Sequence, residues 1–158
     1  MAMRRLRSDS DSAVGIFWGG LIAGTLDILA AFVVTGFKGR GPDVVLHGIA
    51  SGLLGPKAFR GGIATAALGL ACHYAIAFGA AAAYYAVSRV LPVLVRRAVI
   101  CGLLYGVVVY VVTNYVIVPL SRIGRVITGP PSSMIIGLLV LMVFVGLPIS
   151  LAIRRYAD

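Results

Sequence analysis

Glutamate is absent from this 158-residue chain, and charged residues of every kind make up only 12% of it. Soluble domains carry nearer a quarter charged residues, so a surface built to face water on all sides is excluded. Cysteine is scarce too: Cys72 and Cys101 lie inside apolar runs, which leaves two small buried hydrophobes and no disulfide framework. His47 and His73 are the only histidines. With no HExxH pair and no paired cysteines, a zinc site could draw on three ligands at most, Asp27, His47 and His73. No serine occupies a Gly-x-Ser-x-Gly turn; Ser51, in Ala-Ser-Gly-Leu-Leu-Gly, lacks the first glycine. Nothing in the residues supports an enzyme.

What is present is apolar side chain, 60% of the sequence, with a mean hydropathy of +1.02. Crossing about 30 Å of hydrocarbon takes about 20 residues of helix. The expected fold is therefore all-α: one polytopic membrane domain of four transmembrane helices plus a short interfacial or re-entrant helix. The net charge of +9 does not point to nucleic acid. Its fourteen cations fall in short clusters between the apolar runs, among them Lys38 with Arg40, and Arg96 with Arg97. A continuous basic face is missing, and the spacing suits anionic lipid headgroups.

Residues 1–12 read as a disordered cytoplasmic tail. A signal peptide would have a shorter, uncharged core than the run that follows, which exceeds twenty residues and contains Asp27. Helices are expected at 13–36, 61–90, 98–120 and 132–153. Residues 43–58 are too short to span and are broken by Gly48, Gly52, Gly55 and Pro56, so they form the interfacial or re-entrant segment. Pro148 should kink the last helix without ending it. Eight Lys and Arg lie on the side of the two termini and the 90s loop against six on the other. That excess and the basic start place both termini in the cytoplasm.

Asp27 stands alone in its run, and an ionisable side chain at such depth costs at least about 2.5 to 3.5 kcal/mol on insertion scales. It shares a helical stripe with Gly20, Ala23, Gly24, Ala30 and Ala31. In the next long helix His73 shares one with Ala66, Gly69, Ala77 and Ala80, and in the third Tyr110 and Asn114 follow Gly102 and Gly106. Small faces are where membrane helices meet, so these stripes should face one another, with Gly20, Gly24, Gly69, Gly102 and Gly106 packing helices and promoting self-association. The fourth helix has Gly137 but no polar row, and is expected on the outside.

Depth agrees with periodicity. Measured from the face that carries the 37–60 and 121–131 connections, Asp27 lies about 14 Å in, His73 about 18 Å and Tyr110 about 15 Å, with Asn114 shallower. The four can form one polar pocket open towards the long loops, Asp27 paired with His73 and His47 capping it. Three uses are open: binding or passing a small ion, proton or ligand; a ligand or metal site; or a non-catalytic scaffold in which the buried polar groups only fix packing. Haem b between the two histidines would need His47 delivered into the bundle, and no Cys-x-x-Cys-His attachment motif exists. The expectation is no cofactor.

The pairing of Gly20-Leu-Ile-Ala-Gly24 with Gly102-Leu-Leu-Tyr-Gly106 fits either a duplicated helix pair or the general use of Gly-x-x-x-Gly in lipid. The stretches HGIASGLLGPKAFR, GGIATAALGLACHYAIAF and GLLYGVVVYVVTNYVIVPLS resemble a group of small bacterial inner-membrane proteins with four predicted helices. The resemblance implies a multi-pass protein of the bacterial inner (plasma) membrane; the group has no established activity and lends no residue a role.

Overall fold

The computed structural model describes residues 9–127 and 129–156. Within them the chain is all-helical: α1 (Asp9–Gly36), α2 (Pro42–Leu54), α3 (Gly62–Val90), α4 (Ala98–Leu120) and α5 (Pro131–Arg155), with a 3-10 turn at Gly55–Arg60 and a single helical turn at Val93–Arg96. α1, α3, α4 and α5 are long and apolar enough to cross a membrane. α2, at thirteen residues, is not. Glycine and proline set its limits: Pro42 occupies the first turn, where its missing N–H costs nothing, and Gly55, at φ 64°, turns the chain out of it.

α1 begins earlier than its apolar run. Helix is already present at Asp9, the first described residue, and the Tyr85 hydroxyl donates a 2.7 Å bond to the hydroxyl of buried Ser12, tying this end to α3. Residues 9–12 of the expected tail are therefore helix, while residues 1–8 lie outside the described residues.

The helices pack in the order α3, α1, α5, α4. Gly20 and Gly24 of α1 admit Phe78, Tyr74 and Ala77 of α3, while Gly15 and Gly19 admit Ile149 and Ile153 of α5 and Tyr156 just past its end. On the far side Gly102 and Gly106 of α4 meet Gly146, Met142 and Ser150 of α5, and a Cβ on Gly146 would lie 2.5 Å from the Gly106 nitrogen. Gly69 lies against the α2 backbone at Leu46 and Ala50. Every glycine expected to promote self-association is thus spent on a contact within the chain.

This arrangement corrects the expected place of the last helix. α5 is central, not outer, with Val145, Ile149, Ser150 and Ile153 buried between α1 and α4. Its inner face is made of small and aliphatic residues, which pack as closely as polar ones but leave no contrast against an apolar background. α3 and α4 are the more exposed pair.

α3 and α4 meet near the end that carries both described termini. There the Tyr84 and Tyr105 rings lie 4.9 Å apart, Tyr105 donates 2.7 Å to the Ala80 carbonyl and Tyr84 donates 3.0 Å to that of Leu94. Towards the other end α2 fills the space beside them, bonded through its Gly52 carbonyl to the Arg122 N–H at 2.8 Å. α4 and α5 each contain a wide π turn, Thr113–Ile117 and Leu141–Gly146, two residues ahead of Pro119 and Pro148. Each proline removes a backbone donor, and the wider turn relaxes the helix around it, so α5 runs on through Pro148 without a break.

Between charged ends the outside of the bundle is apolar. Leu29, Val33, Leu104, Val108, Ile135 and Leu139 are all exposed.

A Gly146→Val substitution should lower stability by about 1–3 kcal/mol, because its side chain has only backbone to displace. Gly79→Ala, at a position with nothing within 4 Å of the new Cβ, should not. Thermal melting of the two purified variants in one detergent checks both.

Candidate functional site

The small residues that let α1 approach α3 also leave space beside them. Gly24, Ala30 and Ala31 on α1 face the same void as Ala77 and Ala80 on α3, and Val109, Tyr110, Thr113 and Asn114 of α4 line it without filling it. The result is a cavity of about 870 Å³ bounded by all five helices. Its floor lies at the Tyr84–Tyr105 contact, where Ala80, Leu141 and Val145 line it. Its mouth lies among the connections after α1 and before α5, with Lys38, Arg40, Ile127 and Pro130 on the rim.

Asp27, His73, Tyr110 and Asn114 all line this one cavity. They come from three helices, and each is half-buried. Asp27 and His73 are close enough to interact electrostatically, but no hydrogen bond or ion pair joins them. The imidazole points Nε2 at the Gly24 carbonyl, 2.8 Å away, one turn before Asp27 on α1. A carbonyl can only accept, so Nε2 carries the proton, and Nδ1 is the acceptor of the neutral ring. The direct Asp27–His73 pair expected from the sequence is replaced by a backbone bond from His73, and among the described residues the Asp27 carboxyl group has no hydrogen-bond partner.

Asn114 lies inside the π turn of α4 and donates Nδ2 to the Tyr110 carbonyl at 2.9 Å, which leaves Oδ1 uncommitted. The Tyr110 ring passes Gly137 of α5, where a Cβ would stand 3.6 Å from it. The Tyr110 hydroxyl, too, has no hydrogen-bond partner among the described residues.

His47 does not line the cavity. Its Nε2 donates 2.9 Å to the Gly62 carbonyl and its ring lies 6.2 Å from that of Phe59, so it staples α2 to the start of α3. Val45 and Ile49, on the neighbouring face of α2, line the cavity instead. Packing decides between the faces: Leu46 and Ala50 are held against Gly69, and this turns His47 away from the void. With the two histidines bonded to backbone carbonyls in different places, the bis-histidine haem arrangement is not formed. Among the described residues no group of three His, Cys, Asp or Glu could hold a metal ion.

Several lining residues carried no functional signal in the sequence. Lys38 and Arg40 read as an ordinary headgroup-facing cluster, and Ser133 as part of a helix start. Together they build the rim, where the Lys38 ammonium donates 3.1 Å to the Ser133 hydroxyl across 95 residues of sequence. Thr35 and Thr113 add hydroxyls to the wall.

No protein-family model, curated protein or solved structure matches the chain. Each residue's role accordingly rests on its own surroundings.

His73→Phe keeps a ring in place and removes one hydrogen bond, that to Gly24. It should cost about 1 kcal/mol, read as a modest fall in melting temperature without loss of the folded protein.

Proposed function

We propose that the chain is a multi-pass membrane protein that binds a small ligand or ion in the cavity around Asp27, admitted from the side of the long connections. The observation that carries this reading is an acid with no hydrogen-bond partner among the described residues, deep in a bilayer-length helix and facing a cavity of about 870 Å³. Intramembrane acids are rare and costly, and they mark ligand, ion or proton sites more often than ordinary packing does. The apolar outer surface supports insertion: large aliphatic groups exposed on every long helix would be an aggregation hazard in water and suit lipid. α2 crosses α3 at Gly69, seven residues or about 10 Å along from the start of that helix, which favours a re-entrant over a surface position.

Binding fits the geometry better than through-passage. The cavity ends on the Tyr84–Tyr105 contact and the aliphatic core below it, so passage of an ion or proton requires that floor to part. Both termini are assigned to the cytoplasm of a bacterial cell and the mouth to the outer side, from the excess of Lys and Arg at the terminal end. A scaffold reading draws on the His73 bond to Gly24, which does pin α3 to α1.

The two readings differ in the sign of one measurement. A carboxyl group kept for binding is a stability cost while the cavity is empty, so Asp27→Asn should leave the melting temperature unchanged or raise it. As packing glue, its loss should lower stability by about 1 kcal/mol or more. For access, Asn114→Cys in a Cys72→Ser, Cys101→Ser background should react with a membrane-impermeant thiol reagent added to intact cells. Labelling only after the cells are opened would place the mouth on the cytoplasmic side.

A further inference from the structure

The geometry points to an amphipathic organic cation as the ligand of this cavity: a singly charged amine, quaternary ammonium or phosphonium with an apolar body. This rests on the binding reading above and specifies its substrate class.

Size comes first. A cavity of about 870 Å³ lies in the range of organic ligands, about 300–1,000 Å³, and is far too large to coordinate a bare ion. The polar groups are then unbalanced in a consistent direction. His73 has spent its Nε2 proton on Gly24, which leaves Nδ1 as the acceptor in the neutral ring, and Asn114 has spent one amide proton on Tyr110, which leaves an Oδ1 acceptor beside its second amide proton. Asp27 adds two more acceptor oxygens and the one negative charge among the lining residues. The Tyr110 ring offers a π face, which favours a cation over an anion.

The remaining wall is apolar: Ile28, Ala31, Val34, Ile76 and Val109 surround the acid with surface suited to hydrocarbon. An anion would have to bring its charge beside the carboxylate, and a neutral molecule would leave that carboxylate uncompensated. A cation supplies the counter-charge that no side chain among the described residues brings to bonding distance.

Lys38 and Arg40 at the mouth do not reverse this. Both are exposed, Lys38 donates to Ser133, and the end of α1 lies nine residues or about 14 Å along the helix from Asp27, so the two cations meet water at the rim while the acid stands further in.

The test uses two probes of the same shape and opposite charge, tetraphenylphosphonium and tetraphenylborate, on the full chain in phosphatidylcholine nanodiscs. Tetraphenylphosphonium should bind saturably and tetraphenylborate should not. Binding should weaken about tenfold or more in Asp27→Asn, persist in Asp27→Glu, and be lost in Ala31→Phe, which fills the cavity without touching the charge. Saturable tetraphenylborate binding that Ala31→Phe abolishes would overturn the cation assignment and leave the cavity-binding reading standing. Equal phosphonium binding by Asp27→Asn would likewise overturn it. If neither probe bound saturably, both readings would fall. The contrast between the probes on the unmodified chain decides the matter even if Asp27→Asn does not fold.

Discussion

Close backbone contact between α5 and its two neighbours is the constraint on which the rest depends. Where helices this apolar lie in lipid, they gain little by burying hydrophobic surface against one another, and association then rests on van der Waals packing and a few hydrogen bonds. α5 secures that contact by meeting Gly15 and Gly19 on one side and Gly102 and Gly106 on the other, its own Gly146 closing the second seam. Most of these contacts lie in the half of the bundle nearer the described termini, where Ile149, Ile153 and the Tyr84–Tyr105 pair complete a solid core. The cavity lies in the other half, towards the connections after α1 and before α5.

The void persists because its walls are short side chains and its neighbours are rigid. Ala77 and Ala80 are short side chains on the wall they share with Tyr110, and Val45 and Ile49 of α2, which packs on α3 and is bonded through Gly52 to Arg122, line the void as well. The π turns before Pro119 and Pro148 contribute at the same level: Asn114 lies within one and Leu141 and Val145 within the other, all three on the cavity wall. Wide turns of this kind recur at functional sites because they redirect a side chain without ending the helix.

The long helices were legible as apolar runs bounded by Gly, Pro and Arg, because hydropathy integrates over twenty residues and tolerates local error. Periodicity and depth brought Asp27, His73, Tyr110 and Asn114 to a common face and level, and the same four side chains line the cavity. The central role of α5 was not legible, since a packing face of Val, Ile, Gly and Ser is indistinguishable by composition from a lipid face. Nor could the sequence decide which way His47 turns. That depends on a contact between Gly69 and the α2 backbone, a long-range event with no local signature. The rim was missed for a related reason: Lys38 and Ser133 are 95 residues apart, and each has a sufficient local explanation.

What sets Asp27 apart from most of the polar groups in the interior is that those have a bond to account for them; the Tyr110 hydroxyl, on the same cavity wall, shares its want of one among the described residues. His73 holds Gly24, Tyr105 holds Ala80, Tyr84 holds Leu94 and Ser150 holds the Leu147 carbonyl in its own helix. Each such bond offsets the desolvation of the group that makes it, so packing alone explains its presence. Among the described residues Asp27 makes none. A carboxyl group adds nothing to packing that an alanine on this stripe would not, and it carries a desolvation cost that alanine avoids. In the proposed binding reading its place on a cavity of about 870 Å³ gives that cost a use, because the compensating charge comes from the ligand.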